Sequence, residues 1–337
     1  MTNFGQWNNQ LLEPVLITYN RASCLKETLQ TFLDAGLTEM RLHVLDNAST
    51  DETGDVVAAY QEQWPNLQYH RNKYNIGGNG NILRAVEITD SKYCWIIGDD
   101  DDWHLEFILE LIFALKNSDA DIIRLGWLVE DKHRGQLISA LDLAQNESLF
   151  FASISMISAT ITRRSILAAY LPNSYMNIGD AYPQLVPAIL AVQQTPLLVY
   201  STKNNLMTHT PNTGPGYYFG DLEWYAAWFR TSRFLTDTKL RIKFIGEITR
   251  YMTRDRNSKN GCLWLVKVAL NYKAQGINQF NYLLSMLAYG DGWRGRILIV
   301  LLVYCLMPGR LAGGLRRFYR KLFNLPERTL TIDRSRL

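Results

Sequence analysis

Four consecutive carboxylates, Asp99 to Asp102, stand directly after an apolar run, Tyr93 to Ile97, and a single glycine, Gly98. Adjacent carboxylates raise one another's pKa, so they stay ionised together only with a cation or several hydrogen-bond donors among them. An all-oxygen set of this kind suits a hard divalent ion, Mg²⁺ or Mn²⁺, and such an ion in turn suits phosphate oxygens. The competing reading is a solvated acidic turn capping a helix that starts near Trp103, because Asp is favoured at the N-cap and in the first turn. Three further polar clusters precede this one. TYNR, with Thr18, Tyr19, Asn20 and Arg21, offers hydroxyls, an amide and a guanidinium. DNAST supplies Asp46, whose carboxylate can accept two hydrogen bonds from a ribose diol or from a base N–H, with Asn47 and Ser49 shaping the turn. NIGGNGN, with Gly77, Gly78 and Gly80, lets backbone approach a ligand or take positive φ. Its spacing matches neither GxGxxG nor the phosphate-loop pattern, so dinucleotide and P-loop readings fall away.

Each cluster needs a rigid element behind it. Residues 14–18, 42–45 and 93–97 are short, mostly apolar runs bounded by turn residues, the pattern of strands covered on both faces, and residues 67–70 read as a further short strand. Helical periodicity marks residues 24–35 with Ser23 as N-cap, a helix through Val56, Val57, Tyr60 and Trp64, and helices over 82–88 and 105–116. Four strand–helix alternations predict right-handed crossovers and a doubly wound, mostly parallel α/β sheet. Ligands of such sheets bind at the carboxyl ends of the strands, where all four polar clusters stand. After Asp121 the pattern loosens. IIRLGWLVED reads as a strand that turns back, SISMISATIT as a small apolar stretch, RRS as the start of a helix over 166–170, and residues 196–200 as a strand. MNIGDAYPQLVPAILAV reads as a loop entering a helix, with Asp180 near its first turn. Residues 208–221, THTPNTGPGYYFGD, form a long loop, and from Leu222 onward the chain turns helical, aromatic and basic.

A chain of 337 residues, 47% hydrophobic and 20% charged, forms a globular core. The net charge of +3 is too small to argue for nucleic acid, but its distribution is uneven: residues 290–337 carry +7 and the rest −4. Cys24, Cys94, Cys262 and Cys305 lie far apart without ligand spacing, which speaks against zinc and against a disulfide framework and points to a reducing cytosol. MTNFGQWNNQLLEP lacks a basic segment followed by an apolar one, so no secretory signal is expected. The longest apolar run in the tail, Ile297 to Met307, has 11 residues, short of the roughly 20 that span a bilayer. Flanked by arginines and followed by RLAGGLRRFYRKLF, it is expected to lie in a membrane interface.

TYNR, VLDNASTD, NIGGNGN and YCWIIGDDDDW, in that order over about the first third of the chain, resemble the successive signatures of family 2 glycosyltransferases of the GT-A fold, especially bacterial enzymes of O-antigen and capsule assembly. The resemblance implies a nucleotide-diphosphate sugar donor held by Thr18, Tyr19, Asn20, Arg21, Asp46, Asn47, Ser49, Gly77, Asn81, Arg84, Asp99 and Asp100. It gives the acidic cluster the DxD role, with a Mn²⁺ or Mg²⁺ ion on the diphosphate. The family usually separates its aspartates by one residue, and here two registers are open, Asp99 with Asp101 or Asp100 with Asp102; the first is favoured because alternate strand-end residues share a face. His209 is a further candidate metal ligand. The resemblance also implies inversion at the sugar and a general base on the acceptor side, for which Asp180 is the candidate and Asp221, near Glu223, the runner-up. The loop around His209 has the composition of a lid that excludes water. The expected acceptor is a glycan or glycolipid, the expected place the cytoplasmic face of the cell membrane, and the expected division a GT-A domain over 1–221 (donor half 14–120, acceptor half 121–221) followed by a helical region over 222–337. The alternatives are a sugar-1-phosphate nucleotidyltransferase, which lacks the Gly-rich loop it would need after the first strand, and a non-catalytic scaffold of the same fold.

Overall fold

The computed structural model describes residues 7–180, 182–209, 221–255, 261–274, 276 and 278–322. The chain divides into two compact units, Met1–Pro211 and Asn212–Leu337.

The first unit opens with four strand–helix pairs: β1 (Leu12–Thr18), α1 (Ala22–Asp34), β2 (His43–Asp46), α2 (Thr53–Gln61), β3 (Gln68–Arg71), α3 (Gly77–Glu87), β4 (Tyr93–Ile97), the short β5 (Asp102–Trp103) and α4 (Ile108–Asn117). It continues with β6 (Ile122–Arg124), β7 (Leu137–Ser139), α5 (Ala140–Asn146), α6 (Phe150–Ser155), β8 (Thr160–Arg163), α7 (Arg164–Ala169), α8 (Leu171–Met176), α9 (Val186–Gln194), β9 (Leu198–Ser201) and β10 (Met207–Thr208). The main sheet runs β3-β2-β1-β4-β8-β6-β9-β7, and β10 pairs with β5 in a separate two-stranded ribbon. β1 to β4 are mutually parallel, as the alternation of elements predicts. β8 runs antiparallel between β4 and β6, and β7 antiparallel to β9, so the second half of the sheet is mixed. β8 comes from the small-residue stretch, and β6 does not turn back on itself but pairs with β8 and β9.

Alternation along β4 shows why the strands read as continuous apolar runs. Tyr93, Trp95 and Ile97 pack with Leu25, Leu29 and Phe32 of α1 and Ile108 and Leu111 of α4, while Cys94 and Ile96 pack on the other face with Ala85 and Val86 of α3 and Leu167 of α7. Each such large apolar side chain stabilises the fold by about 1.5–3 kcal/mol relative to exposure. Register then sets the site. Thr18, Asp46 and Arg71 are adjacent in the ladder, and Leu16 is paired with Ile97, so the carboxyl ends of β3, β2, β1 and β4 form one rim.

Three local expectations are corrected. α1 starts at Ala22, whose N–H donates to Asp51 Oδ2 at 3.0 Å, so Ser23 is not its N-cap. The glycines of NIGGNGN are not loop but the first turn of α3, because Asn75 Oδ1 and Gly77 O are both tied to the Asn47 amide. After the four aspartates the chain forms β5 and a 3₁₀ turn (Leu105–Phe107) before α4, so the acidic run does not cap a helix at Trp103.

A buried polar network holds the far half of this unit. Arg124, at the end of β6, bonds Glu147 Oε2 at 2.5 Å, Ser153 Oγ at 3.0 Å and Ser201 Oγ at 3.0 Å. Above it Gly126, at φ +90°, lets Asn205 approach so closely that a Cβ would lie 2.5 Å from Asn205 Oδ1. In the same loop the Ser148 N–H and hydroxyl donate to Glu130 Oε1 at 2.9 and 2.8 Å. Burial alone raises the Glu130 carboxyl, but these donors and Lys132 outweigh it and hold it down at about 2, from an ordinary 4.5. A depressed carboxyl stabilises the fold above the unfolded-state pKa and loses that contribution as pH falls toward the folded value. Glu130→Gln is therefore expected to flatten the acid limb of a denaturation curve between about pH 4.5 and 2, by about 1 kcal/mol after solvent screening.

The second unit is helical where it is described: α10 (Asp221–Thr231), α11 (Thr238–Asp255), α12 (Gly261–Ala274), α13 (Phe280–Tyr289), α14 (Arg294–Leu306) and α15 (Gly309–Leu322). Trp228 stacks on Phe244 with ring centroids 4.2 Å apart, and its indole N–H donates to Phe244 O at 2.7 Å. Tyr225, Phe229, Leu265 and Leu283 complete its buried centre.

Candidate active site

The rim at the carboxyl ends of β1 to β4 is built around Arg21. Its guanidinium forks between Asp99 Oδ1 at 2.8 Å and Asp100 Oδ2 at 2.9 Å. Asp99 also accepts the Thr18 hydroxyl at 2.7 Å, and its main-chain oxygen accepts the Thr28 hydroxyl of α1 at 3.1 Å. Burial pushes the Asp99 carboxyl up to about 6, with Arg21 and Thr18 opposing. Burial works against the Arg21 cation, but the two aspartates outweigh it and raise its pKa. The first two carboxylates of the run are thus held by protein donors.

Asp101 is placed differently. It is 7% exposed, its Oδ1 is 2.9 Å from His209 Nδ1, and among the described residues its buried Oδ2 has no hydrogen-bond partner. The bond to Asp101, followed by opposing burial, raises the His209 pKa. His209 arrives there because β10 pairs with β5, Thr208 opposite Asp102 and Met207 opposite Trp103. Gly98 N–H donates to Ser158 Oγ at 2.8 Å, and a Cβ on Gly98 would lie 3.1 Å from Asp101 Oδ2 and 3.3 Å from Asp100 Oδ1. These two carboxylates therefore converge over a position where only hydrogen leaves room. Among the described residues no group of three or more His, Cys, Asp or Glu is arranged to hold a metal. An unpartnered buried carboxylate oxygen beside an imidazole fits a hard cation whose remaining ligands come from phosphate and water, the usual habit of Mg²⁺.

Around this centre the other sequence candidates divide. Tyr19 and Asn20 are exposed at the rim, Asn20 in a left-handed conformation at φ 50° that its bonds to Ser49 Oγ and Thr50 N–H maintain. Gly77 and Arg84 are also exposed. Asp46 is 1% exposed, with Ser49 N–H on Oδ1 at 2.8 Å and the Tyr69 hydroxyl on Oδ2 at 2.7 Å. Asn47 is turned inward as the hub of a network: its Oδ1 accepts from Asn72 Nδ2 and Ile76 N–H, and its Nδ2 donates to Asn75 Oδ1. Asn81 closes that network, accepting from Asn72 and donating to Leu45 O. In this structure Asp46, Asn47, Ser49 and Asn81 brace the rim that Tyr19 and Asn20 expose, and Arg84 is exposed in the last turn of α3.

Residues 15–164 match the sequence profile described as glycosyl transferase family 2. This segment is a family 2 glycosyltransferase domain. Among similar proteins, the abequosyltransferase RfbV of Salmonella typhimurium is 33% identical over 87 residues, 25% of this chain and 26% of that protein. The chain spans about a quarter to a half of the length of the curated relatives it matches. Of solved structures, S. aureus TarS residues 1–349 in complex with UDP-GlcNAc superposes with a TM-score of 0.56 at 14% identity, covering 96% of this chain and 95% of that one. A mannosyltransferase of Pyrobaculum calidifontis, PcManGT, in complex with GDP-Man and Mn²⁺, superposes with a TM-score of 0.51 at 10% identity, covering 94% and 88%. At these identities the superpositions establish the GT-A fold.

The family 2 domain's matched segment stops short of Asp180. That residue is 9% exposed, in a loop strained by Tyr182 at φ 71°, and the 3₁₀ turn that follows (Pro183–Leu185) has Tyr182 and not Asp180 at its N-cap. Asn79, in the first turn of α3, donates from Nδ2 to Ile178 O at 2.9 Å and to Asp180 O at 2.8 Å. It clamps the Asp180 loop to the helix that follows the donor-side rim. Asp221 is the first residue of α10 in the second unit; its side chain, and residues 210–220 of the expected lid, lie outside the described residues.

Sequence reasoning missed Ser158, Tyr69, Thr28 and Asn79. Only Asn79, inside NIGGNGN, had a signal. Two expectations follow for the site. Gly98→Ala forces the Asp100 and Asp101 carboxylates apart by a few tenths of an ångström and is expected to lower turnover by about 10–100-fold, with a melting temperature within about 3 °C of wild type. Asn79→Ala removes both bonds to the Asp180 loop and is expected to lower kcat by about tenfold with the donor KM nearly unchanged, which steady-state kinetics separates.

Proposed function

We propose that the protein is an inverting glycosyltransferase that moves a sugar from a nucleotide-diphosphate donor to a hydroxyl of a glycan acceptor. The observation that carries this reading is the unpartnered Asp101 Oδ2 beside His209, at the end of β4 and on the rim shared with β1, β2 and β3. The exposed rim residues Tyr19 and Asn20, with Arg84 of α3, receive the nucleoside and diphosphate, over a floor that Asp46 and Asn47 keep rigid. Asp101 and His209 would hold a Mn²⁺ or Mg²⁺ ion, which would offset the charge that develops on the departing diphosphate. Arg21 holds Asp99 and Asp100 in place, and its cation offsets part of the charge of the acidic run. Asp180, positioned through its backbone by Asn79, takes the proton from the acceptor hydroxyl on the face of the sugar opposite the leaving group.

Support comes from the family 2 domain, from the abequosyltransferase relative, and from the nucleotide sugars named with the solved structures of the same fold. The class of acceptor that fits best is a lipid-linked glycan of bacterial surface polysaccharide assembly, met at the cytoplasmic face of the membrane. A panel of UDP-, GDP-, dTDP- and CDP-sugars with Mn²⁺, Mg²⁺ or EDTA tests the reading through release of the nucleoside diphosphate. Release with one donor class that EDTA abolishes is the expected result. No release with any donor and either metal assigns the fold a non-catalytic role.

A further inference from the structure

The outward face of α14 has no part in the reaction proposed above. On the inward face Ile297, Val300 and Tyr304 are buried, one side of a helix at about 100° per residue. Tyr304 fixes that side: its hydroxyl accepts Gln279 N–H at 3.0 Å, and Lys273 Nζ lies 4.6 Å from its ring centroid. The opposite side is equally apolar and faces solvent, with Leu298 46%, Ile299 54%, Leu302 51% and Leu306 79% exposed. Helical geometry sets Arg294 and Arg296 on the two flanks of this stripe, and both are exposed. α15 follows with exposed Arg310, Leu311 and Arg317. Residues 294–322 contain seven basic and no acidic residues.

We infer that this face docks on an anionic lipid bilayer, with α14 lying in the headgroup plane, its leucine stripe below and its arginines at the lipid phosphates. Charge complementarity selects this occupant. Asp291 pairs with Arg294 at 3.2 Å where the helix begins, and every charged residue from there to the end of α15 is basic; an apolar stripe with such an excess of cations is the complement of acyl chains beneath anionic headgroups, whereas a protein interface surrounds its apolar centre with a polar rim of mixed sign. Length selects the orientation, since α14 has 13 residues and no helix among the described residues is long and apolar enough to cross a membrane.

Flotation of the full chain with phosphatidylcholine vesicles, with and without phosphatidylglycerol, reads this directly and needs no donor or acceptor. Failure of transfer leaves it standing, and failure of flotation leaves transfer standing. The wild type is expected to float with the anionic vesicles only and to be released by high salt. Leu298→Ser with Leu302→Ser and Leu306→Ser is expected to weaken binding at least about tenfold; these side chains are exposed, so circular dichroism should be unchanged. If that variant does not fold, Arg296→Glu with Arg310→Glu decides, with a loss of about tenfold or more expected. Wild-type chain that stays at the bottom of the gradient with anionic vesicles overturns the inference. So does equal flotation of both variants, or a dimer in sedimentation that the leucine variant dissolves, which makes a second copy the occupant.

Discussion

Asp101→Asn is expected to lower sugar transfer by about 10³-fold and to leave the melting temperature at or slightly above that of the wild type. The two halves of this result come from the same geometry. Asp101 Oδ2 is buried with no hydrogen-bond partner among the described residues, so the Oδ1 bond to His209 Nδ1 offsets the desolvation of the carboxylate only in part. Asparagine keeps the shape and a partner for His209 Nδ1 while removing the charge, which relieves the fold and disables the cation site. An aspartate with a purely structural role behaves in the reverse way, losing stability first and activity only as a consequence. Steady-state transfer assays and a thermal melt on one preparation distinguish the two.

Arg124→Met is expected to destabilise the first unit by about 3–5 kcal/mol. For a unit of this size that is a fall of roughly 6–20 °C in melting temperature. Arg124 and Glu147 both have side chains 0% exposed, and Glu147 Oε1 also takes His133 Nδ1 at 3.0 Å and Glu130 N–H at 3.2 Å. Removing the arginine leaves a buried carboxylate with too few donors. Removing both charges, in Arg124→Met with Glu147→Leu, should recover most of the loss, because an apolar pair leaves no buried charge uncompensated. The effect also reaches the candidate site. Thr202 N–H donates to Arg124 O and Leu206 N–H to Leu125 O, and from Leu206 the chain enters β10 and delivers His209 to Asp101. Residual activity in the single variant should therefore fall further than the folded fraction does. Calorimetry of the single and double variants measures the stability terms.

What could be read from the amino-acid order follows a physical division. β1, β2 and β4 were legible because strands covered on both faces are largely apolar, and β3, whose QYHR is half-exposed, because it stands in the strand–helix alternation just before a turn-rich cluster. β8 was not, since its small and hydroxylated residues carry neither a period of two nor a long apolar run, and its antiparallel insertion between β4 and β6 depends on pairing across the sheet. The glycines of NIGGNGN read as loop because propensity disfavours them in helices; bonds from Asn47 and Asn75 override that preference. The direction of a side chain at a strand end was likewise hidden. Asn20 and Ala48 stand at equivalent places, two residues beyond the paired Thr18 and Asp46, and take φ of 50° and 65°, yet Asn20 is exposed while Asn47, beside Ala48, turns inward. For the four adjacent aspartates, strand alternation favoured the register of Asp99 with Asp101 over that of Asp100 with Asp102. The structure separates them through Arg21, which takes Asp99 and Asp100, and through the β5–β10 ribbon, which takes Asp102 and brings His209 to Asp101.

The most direct test of the metal-assisted donor site is anomalous diffraction at the manganese edge from crystals grown with Mn²⁺ and the nucleoside diphosphate of the accepted donor. The expected result is a peak bonded to an Asp101 carboxylate oxygen at about 2 Å and shared with the diphosphate. A bound nucleotide whose diphosphate carries no manganese, or manganese held away from Asp101, contradicts it.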